Sequence, residues 1–209
     1  MTALGPQPGP VATEAGAVDG RLARRDRNRT AVLEAMVALF TEGDLDPTPD
    51  QVARRAGISP RSVYRYYEDR EALLRAAIAH HLESVWPLYV FHGIGEGTFE
   101  HRVTAFAAHR VRLYEAIGST ARATRQRAAT DEIVREQLEL TRRALREQVE
   151  KQFAPELDAM PTRARRARLA AADALCELET LDLYRQHRGF STTETEALVA
   201  DALRALLAP

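Results

Sequence analysis

The stretch Thr48 to Arg70, TPDQVARRAGISPRSVYRYYEDR, limits the fold more than any other part of the chain, because its punctuation leaves room only for two short helices and a tight turn. Thr48 is placed to accept from the first free amides of a helix, Pro49 suits the first helical position, and Gln51 can bond back to the cap. Val52, Ala53 and Ala56 supply an inward face, and Gly57 admits the left-handed backbone that ends a helix without a Cβ penalty. Ser59 and Pro60 repeat the cap-plus-proline signal and open a second helix. There Ile58, Val63 and Tyr66 can pack back on the first helix, while Arg61, Ser62, Tyr64 and Arg65 remain outside. A small Ala53, then Gly57, then an apolar Val63 let the two helices cross closely, which is the spacing of a helix-turn-helix. A hairpin wholly inside a helical core conflicts with a second helix too polar to be covered on all sides.

The flanks extend the pattern. The amphipathic run Arg29 to Gly43 (RTAVLEAMVALFTEG), Val52-Ala53, Ala56-Gly57-Ile58-Ser59, Val63-Tyr64-Arg65-Tyr66-Tyr67 and Asp69-Arg70-Glu71-Ala72-Leu73-Leu74 together resemble the DNA-binding domain of the TetR family of tetracycline-repressor-like transcriptional regulators. The resemblance covers roughly a quarter of the chain. It departs from the family pattern at Tyr67, where phenylalanine is common, and at Arg70, where a planar guanidinium replaces the usual lysine.

The resemblance implies an all-α fold with an N-terminal helix-turn-helix three-helix domain and a C-terminal helical ligand-binding and dimerisation domain. On that reading residues 1–20 are a disordered lead, 21–70 the DNA-binding domain and 71–209 the second domain. It also implies a homodimer on a double-stranded, palindromic DNA operator, acting as a repressor released by a small-molecule effector. The second helix of such a motif lies in the major groove, where arginine bonds guanine edges and aromatic rings meet thymine methyl or sugar. By position in the motif, Arg61, Ser62 and Arg65 are expected at or near bases. Tyr64, Tyr66, Arg70 and the cap Thr48 are expected at phosphates, with core packing an equal alternative for Tyr66. Tyr67 belongs to the core.

A chain of 209 residues can bury on the order of 70% of its unfolded surface and needs no staple. Its single cysteine, Cys176, excludes an internal disulfide and any multi-cysteine metal site, and reads as a small buried hydrophobe. No apolar run approaches the roughly 20 residues that span a bilayer, and residues 1–20 lack the form of a signal peptide, so no membrane partner and a cytoplasmic location are expected. With a net charge of −1, attraction to nucleic acid must come from local clustering. Arg21, Arg24, Arg25, Arg27 and Arg29 against Asp26 alone give 5 − 1 = +4 between Arg21 and Thr30. That cluster is either a basic arm on phosphates or a solvated helix start. Lys151 is the only lysine, so arginine abundance alone decides nothing.

Periodicity predicts a first helix from about Asn28 to Glu42 and a fourth from Asp69 to about Val85, broken by Pro87. Pro87 to Gly97 reads as a loop with an apolar patch. Helices are then expected over Thr98 to Ile117, Asp131 to Phe153, Thr162 to His187 and Thr193 to Leu207, with Gly118 to Thr130 ambiguous. The 162–187 helix would be roughly 38 Å long. Thr193 and Glu196 form a possible capping box. Apolar residues on more than one face of the long helix, with the alanines around Ala170 to Ala174, suit a second partner. In the resembled family the last two helices, here about 162–207, build the dimer interface.

On the helix from Thr98, Arg110 interrupts the stripe of Val103, Phe106, Ala107, Leu113, Tyr114 and Ile117, with His109 beside it. Glu179 likewise interrupts the stripe of Leu175, Cys176 and Leu183. The expectation is that Arg110 meets Glu179 or an acidic ligand in a pocket lined also by Trp86, Phe106 and Tyr114, against the alternatives of a structural buried pair or a snorkelling arginine. Two other classes compete, an architectural DNA binder without effector and an all-helical enzyme. His80, His81, His92, His101 and His109 do not fall at catalytic or metal spacing, so no catalytic residues, metal or cofactor are expected.

Overall fold

In a computed structural model, the described residues are 14–208, with side chains from Leu22 onward, and they form helices and no strands. The helices are α1 Glu14–Thr41, α2 Pro49–Ala56, α3 Pro60–Tyr66, α4 Arg70–Tyr89, α5 Phe99–Ala128, α6 Glu132–Gln152, α7 Ala154–Asp158, α8 Thr162–Cys176, α9 Leu178–Asp182 and α10 Thr192–Leu207. A π turn, Leu183–His187, follows α9. The chain divides into two compact units with a boundary inside α4: the first takes in Asp46–Ile78 and the chain before it up to Leu39, the second Phe40–Leu45 and Ala79–Pro209.

In the first unit, Val32 and Met36 of α1, Val52 and Ala53 of α2, Val63 of α3, Tyr67, and Leu73 of α4 are buried. The one-in-three-or-four spacing on α1 and α4 turns one stripe inward. In the second unit α5 packs against α6 and α10, and α8 against α10. Its core includes Val103, Phe106, Phe153, Leu157, Leu181 and Leu203, with the Phe106 and Phe153 rings edge-on at 5.6 Å. A smaller cluster gathers Leu113, Ile117 and Leu145 with half-buried Val85, Tyr89 and Leu178.

Several expected boundaries are corrected. The helix expected from Asn28 already begins at Glu14, so residues 14–20 of the expected disordered lead are helical, and the rest of that lead lies outside the described residues. No proline interrupts Glu14 to Thr41, and alanine and arginine are strong helix formers. Pro87 does not end α4, which continues to Tyr89; in the last turn a proline removes only one bond of the ladder. The ambiguous 118–130 segment is the second half of the 30-residue α5. Gly118 there serves close packing rather than termination, since a Cβ on it would stand 3.2 Å from Cε2 of Tyr114. The expected long helix from Thr162 breaks at Glu177, whose φ of −68° and ψ of 147° are extended. No glycine or proline marks that break; Glu177 caps the next turn, its carbonyl accepting from Thr180 and Leu181 amides. The final capping box is Ser191 with Glu194, two residues earlier than expected.

Candidate nucleic-acid interface

Two caps and one glycine fix the turn. The Thr48 amide donates to Gln51 Oε1 at 2.8 Å and the Gln51 amide to Thr48 Oγ1 at 3.3 Å, closing a reciprocal box at the start of α2. Gly57 takes φ 68° and ψ 28°, and the Ile58 amide reaches back to the Ala53 carbonyl at 3.1 Å. Ser59 Oγ then accepts from the Ser62 amide at 3.3 Å, so α3 starts within two residues of the turn. Val63 and Tyr67 anchor α3 inward, and the Arg29 guanidinium lies 5.7 Å from the Tyr67 ring centre.

The opposite face of α3 is open. Arg61, Tyr64 and Arg65 are exposed, Tyr64 by 57%. Ser62 is half-buried with its hydroxyl 3.0 Å from that of Ser59. Arg65 stacks over half-buried Tyr66 at 5.2 Å and donates to its hydroxyl at 3.3 Å, so the pair presents one charged, flat surface. Thr48 is exposed but its hydroxyl is engaged with Gln51 Oε1 at 2.6 Å. Arg70 pairs with Asp46, so its charge is partly answered within the unit. An open cleft of about 300 Å³ is lined by Arg24, Arg25, Asn28, Arg65 and Tyr66. Three guanidinium groups and a phenol therefore converge where α1 and α3 meet.

The second group of expected residues is only partly brought together. Arg110 is 1% exposed; its Nη2 donates to the Leu145 carbonyl at 2.7 Å and its guanidinium lies 4.6 Å from the Phe106 ring centre. It does not meet Glu179, which pairs with Arg142 and, at 3.6 Å, with Arg125. The break at Glu177 carries α9 away from the straight-helix register that would align the two stripes. His109 is buried against Phe91, ring centres 4.9 Å apart, and burial followed by the charges of Arg110, Arg112 and His92 lowers its pKa to about 4. The Tyr114 hydroxyl donates to Asp182 at 2.9 Å rather than lining space around Arg110. Trp86 is 60% exposed and lies outside the core.

Residues 32–77 match the family model described as bacterial regulatory proteins, tetR family. Over those residues the chain is similar to the tetR family. It is 32% identical over 94 residues to the HTH-type transcriptional regulator BetI of Burkholderia thailandensis, a match spanning 44% of each chain and so under half of that relative's length. Among solved structures, a tetR-family transcriptional regulator from Streptomyces coelicolor superposes with a TM-score of 0.66 at 19% identity, covering 87% of this chain and 80% of that one. A transcriptional regulator from Rhodococcus sp. Rha1 superposes at 0.63 with 18% identity, over 88% and 95% of the two chains. These two likenesses show that the all-helical fold is shared along most of the chain.

Arg61, Tyr64 and Arg65 lie on the exposed face of α3, and sequence reasoning did not place Arg24 and Arg25 beside Arg65. Arg24, Arg25 and Asn28 recur at three- and four-residue steps, a polar stripe that is recognisable once α1 is read as helical through this stretch. Among the described residues no group of three or more His, Cys, Asp or Glu side chains could hold a metal ion, and no helix is long and apolar enough to cross a membrane.

Proposed function

We propose that this tetR-family regulator is a homodimeric repressor that holds a palindromic operator through α3 and lets go when a small molecule binds the second unit. The observation that carries the DNA-binding half is the face of α3: Arg61, Tyr64 and Arg65 point to solvent from a short helix whose Val63 is buried. Arg61, Ser62 and Arg65 read bases, and Tyr64, Tyr66, Arg70 and Thr48 hold backbone phosphates. Residues 21–70 are the DNA-binding domain and 71–209 the effector and dimerisation domain.

The dimer reading draws on α8 and α10, which pack together and leave Ala167, Ala170, Ala174, Ala197, Leu198 and Ala205 uncovered. Small side chains permit close approach of a second helix pair. An effector acts by favouring a state in which the two recognition helices no longer match the groove spacing of roughly 34 Å.

Selection of bound fragments from random DNA tests this directly. A recovered palindrome with half-sites one or more turns apart is expected, and Arg61→Ala or Arg65→Ala should weaken binding by about 1–3 kcal/mol and relax preference at one position of each half-site. Binding to random DNA without a preferred palindrome would favour an architectural binder instead.

A further inference from the structure

Arg110 heads the large side chains that are fully buried, yet among the described residues it has no carboxylate partner. One of its donors is used by Leu145; Nε and Nη1 are buried with no acceptor among the described residues. A guanidinium stays charged across the ordinary pH range, so burial cannot silence it, and buried donors without acceptors are rare in folded proteins. The acids nearby do not answer it. Asp173 bonds Arg146 at 3.1 Å, and Glu179 is held by Arg142. Glu177 is close enough to feel Arg110, but no ion pair joins them among the described residues.

Much of what surrounds the guanidinium is apolar. Arg110 stands between the Phe106 and Cys176 cluster and the cluster of Leu113, Ile117 and Leu145; half-buried Leu178 packs against both, and Tyr89 against the second. Burial pushes the Tyr89 hydroxyl up to about 12, so it stays neutral. A second negative group is disfavoured by the carboxylates of Glu177 and Asp173, while one oxyanion matches the single guanidinium.

We infer that Arg110 anchors a small monocarboxylate with an apolar body, its oxyanion taking the open guanidinium donors and its hydrocarbon lying between the two clusters at Leu178 and Tyr89. The inference rests on reading the second unit as the effector domain and names the chemical class of effector.

The test uses the full chain with benzoate and phenylacetate as probes, benzamide and benzyl alcohol as uncharged matches, and Arg110→Met and Glu177→Gln as variants. Calorimetric titration and thermal melting are read together. The parent should bind a carboxylate probe saturably and melt higher with it, with the uncharged match at least about tenfold weaker, the discrimination expected when a built charge site is left unpaired. Arg110→Met should lose the carboxylate effect, and Glu177→Gln should keep or tighten it. Equal binding of acid and amide, equal binding by Arg110→Met, or no binding by any carboxylate probe overturns the inference. If Arg110→Met does not fold, the acid-against-amide comparison in the parent and in Glu177→Gln decides alone. Carboxylate binding through Arg110 with operator affinity unchanged would leave this site standing and remove the effector-release reading.

Discussion

Replacing Gly57 by alanine isolates one physical quantity in the helix-turn-helix. The residue sits at φ 68°, and a Cβ built on it meets nothing within 4 Å, so no crowding contributes. What remains is the backbone cost of the left-handed region for an L-residue, roughly 1–2 kcal/mol. The narrower freedom of the unfolded alanine chain offsets about 0.4–1 kcal/mol of this. The net expectation is a loss of about 1 kcal/mol, with asparagine, which tolerates this region better, losing less. Gly97→Ala provides the contrast, because φ is +86° there and the new Cβ would also lie 2.9 Å from Cδ2 of His101. Urea unfolding followed by far-UV circular dichroism, with hydrogen exchange of the α2 and α3 amides, reads both variants. Gly57→Ala should cost less than Gly97→Ala and should leave the recovered operator sequence unchanged. A Gly57→Ala protein as stable as the parent, or one that loses more than Gly97→Ala, would refute the assignment of that turn's cost to backbone conformation alone.

If the basic end of α1 touches phosphates, the double variant Arg24→Ala/Arg25→Ala should lower the salt slope of operator binding by about 1.8, at roughly 0.9 per phosphate contact, without changing sequence preference; an unchanged slope means a solvated helix start. Asp182 accepts from Arg122 at 2.8 Å and Tyr114 at 2.9 Å; burial opposes its ionisation, but these bonds and the charges of Arg122 and Arg125 outweigh it and hold its carboxyl below the usual range. The folded pKa is thus the lower one, so its contribution is complete above the unfolded value near 3.9 and fades as pH falls below it. Asp182→Asn should cost about 2–3 kcal/mol at neutral pH and flatten this acid limb of the unfolding curve. His109 titrates in a separate window: with a folded pKa lowered to about 4, the unfolded chain protonates first, so stability should drop between pH 6.5 and 4. His109→Gln should remove that drop, and a drop of equal size in the variant would place its origin elsewhere.

The helix-turn-helix was legible because its determinants are local. Thr48, Gly57, Ser59 and the two prolines act on residues within four positions, and the caps found are the ones the residues name. Locality also explains the errors at the other ends. Gly118 and Pro87 carry helix-ending propensities, but the first packs on Tyr114 and the second falls in a final turn, so tertiary context and position override each. The reverse holds at Glu177, where no local breaker warns of the extended residue between α8 and α9.

The second unit was less legible for a related reason. A charge within an apolar stripe signals that a partner is required, and Arg110 and Glu179 both meet that rule. Of the two expected partners of Arg110, Glu179 or an acidic ligand, Glu179 needs the two stripes to align on straight helices. The structure answers Glu179 with two arginines from α5 and α6 and, among the described residues, answers Arg110 with a backbone carbonyl, a group every residue carries and no sequence pattern marks. One carbonyl satisfies one donor and supplies no charge. The stripe rule marks Arg110 as a residue that needs a partner, and among the described residues two of its buried donor atoms have none.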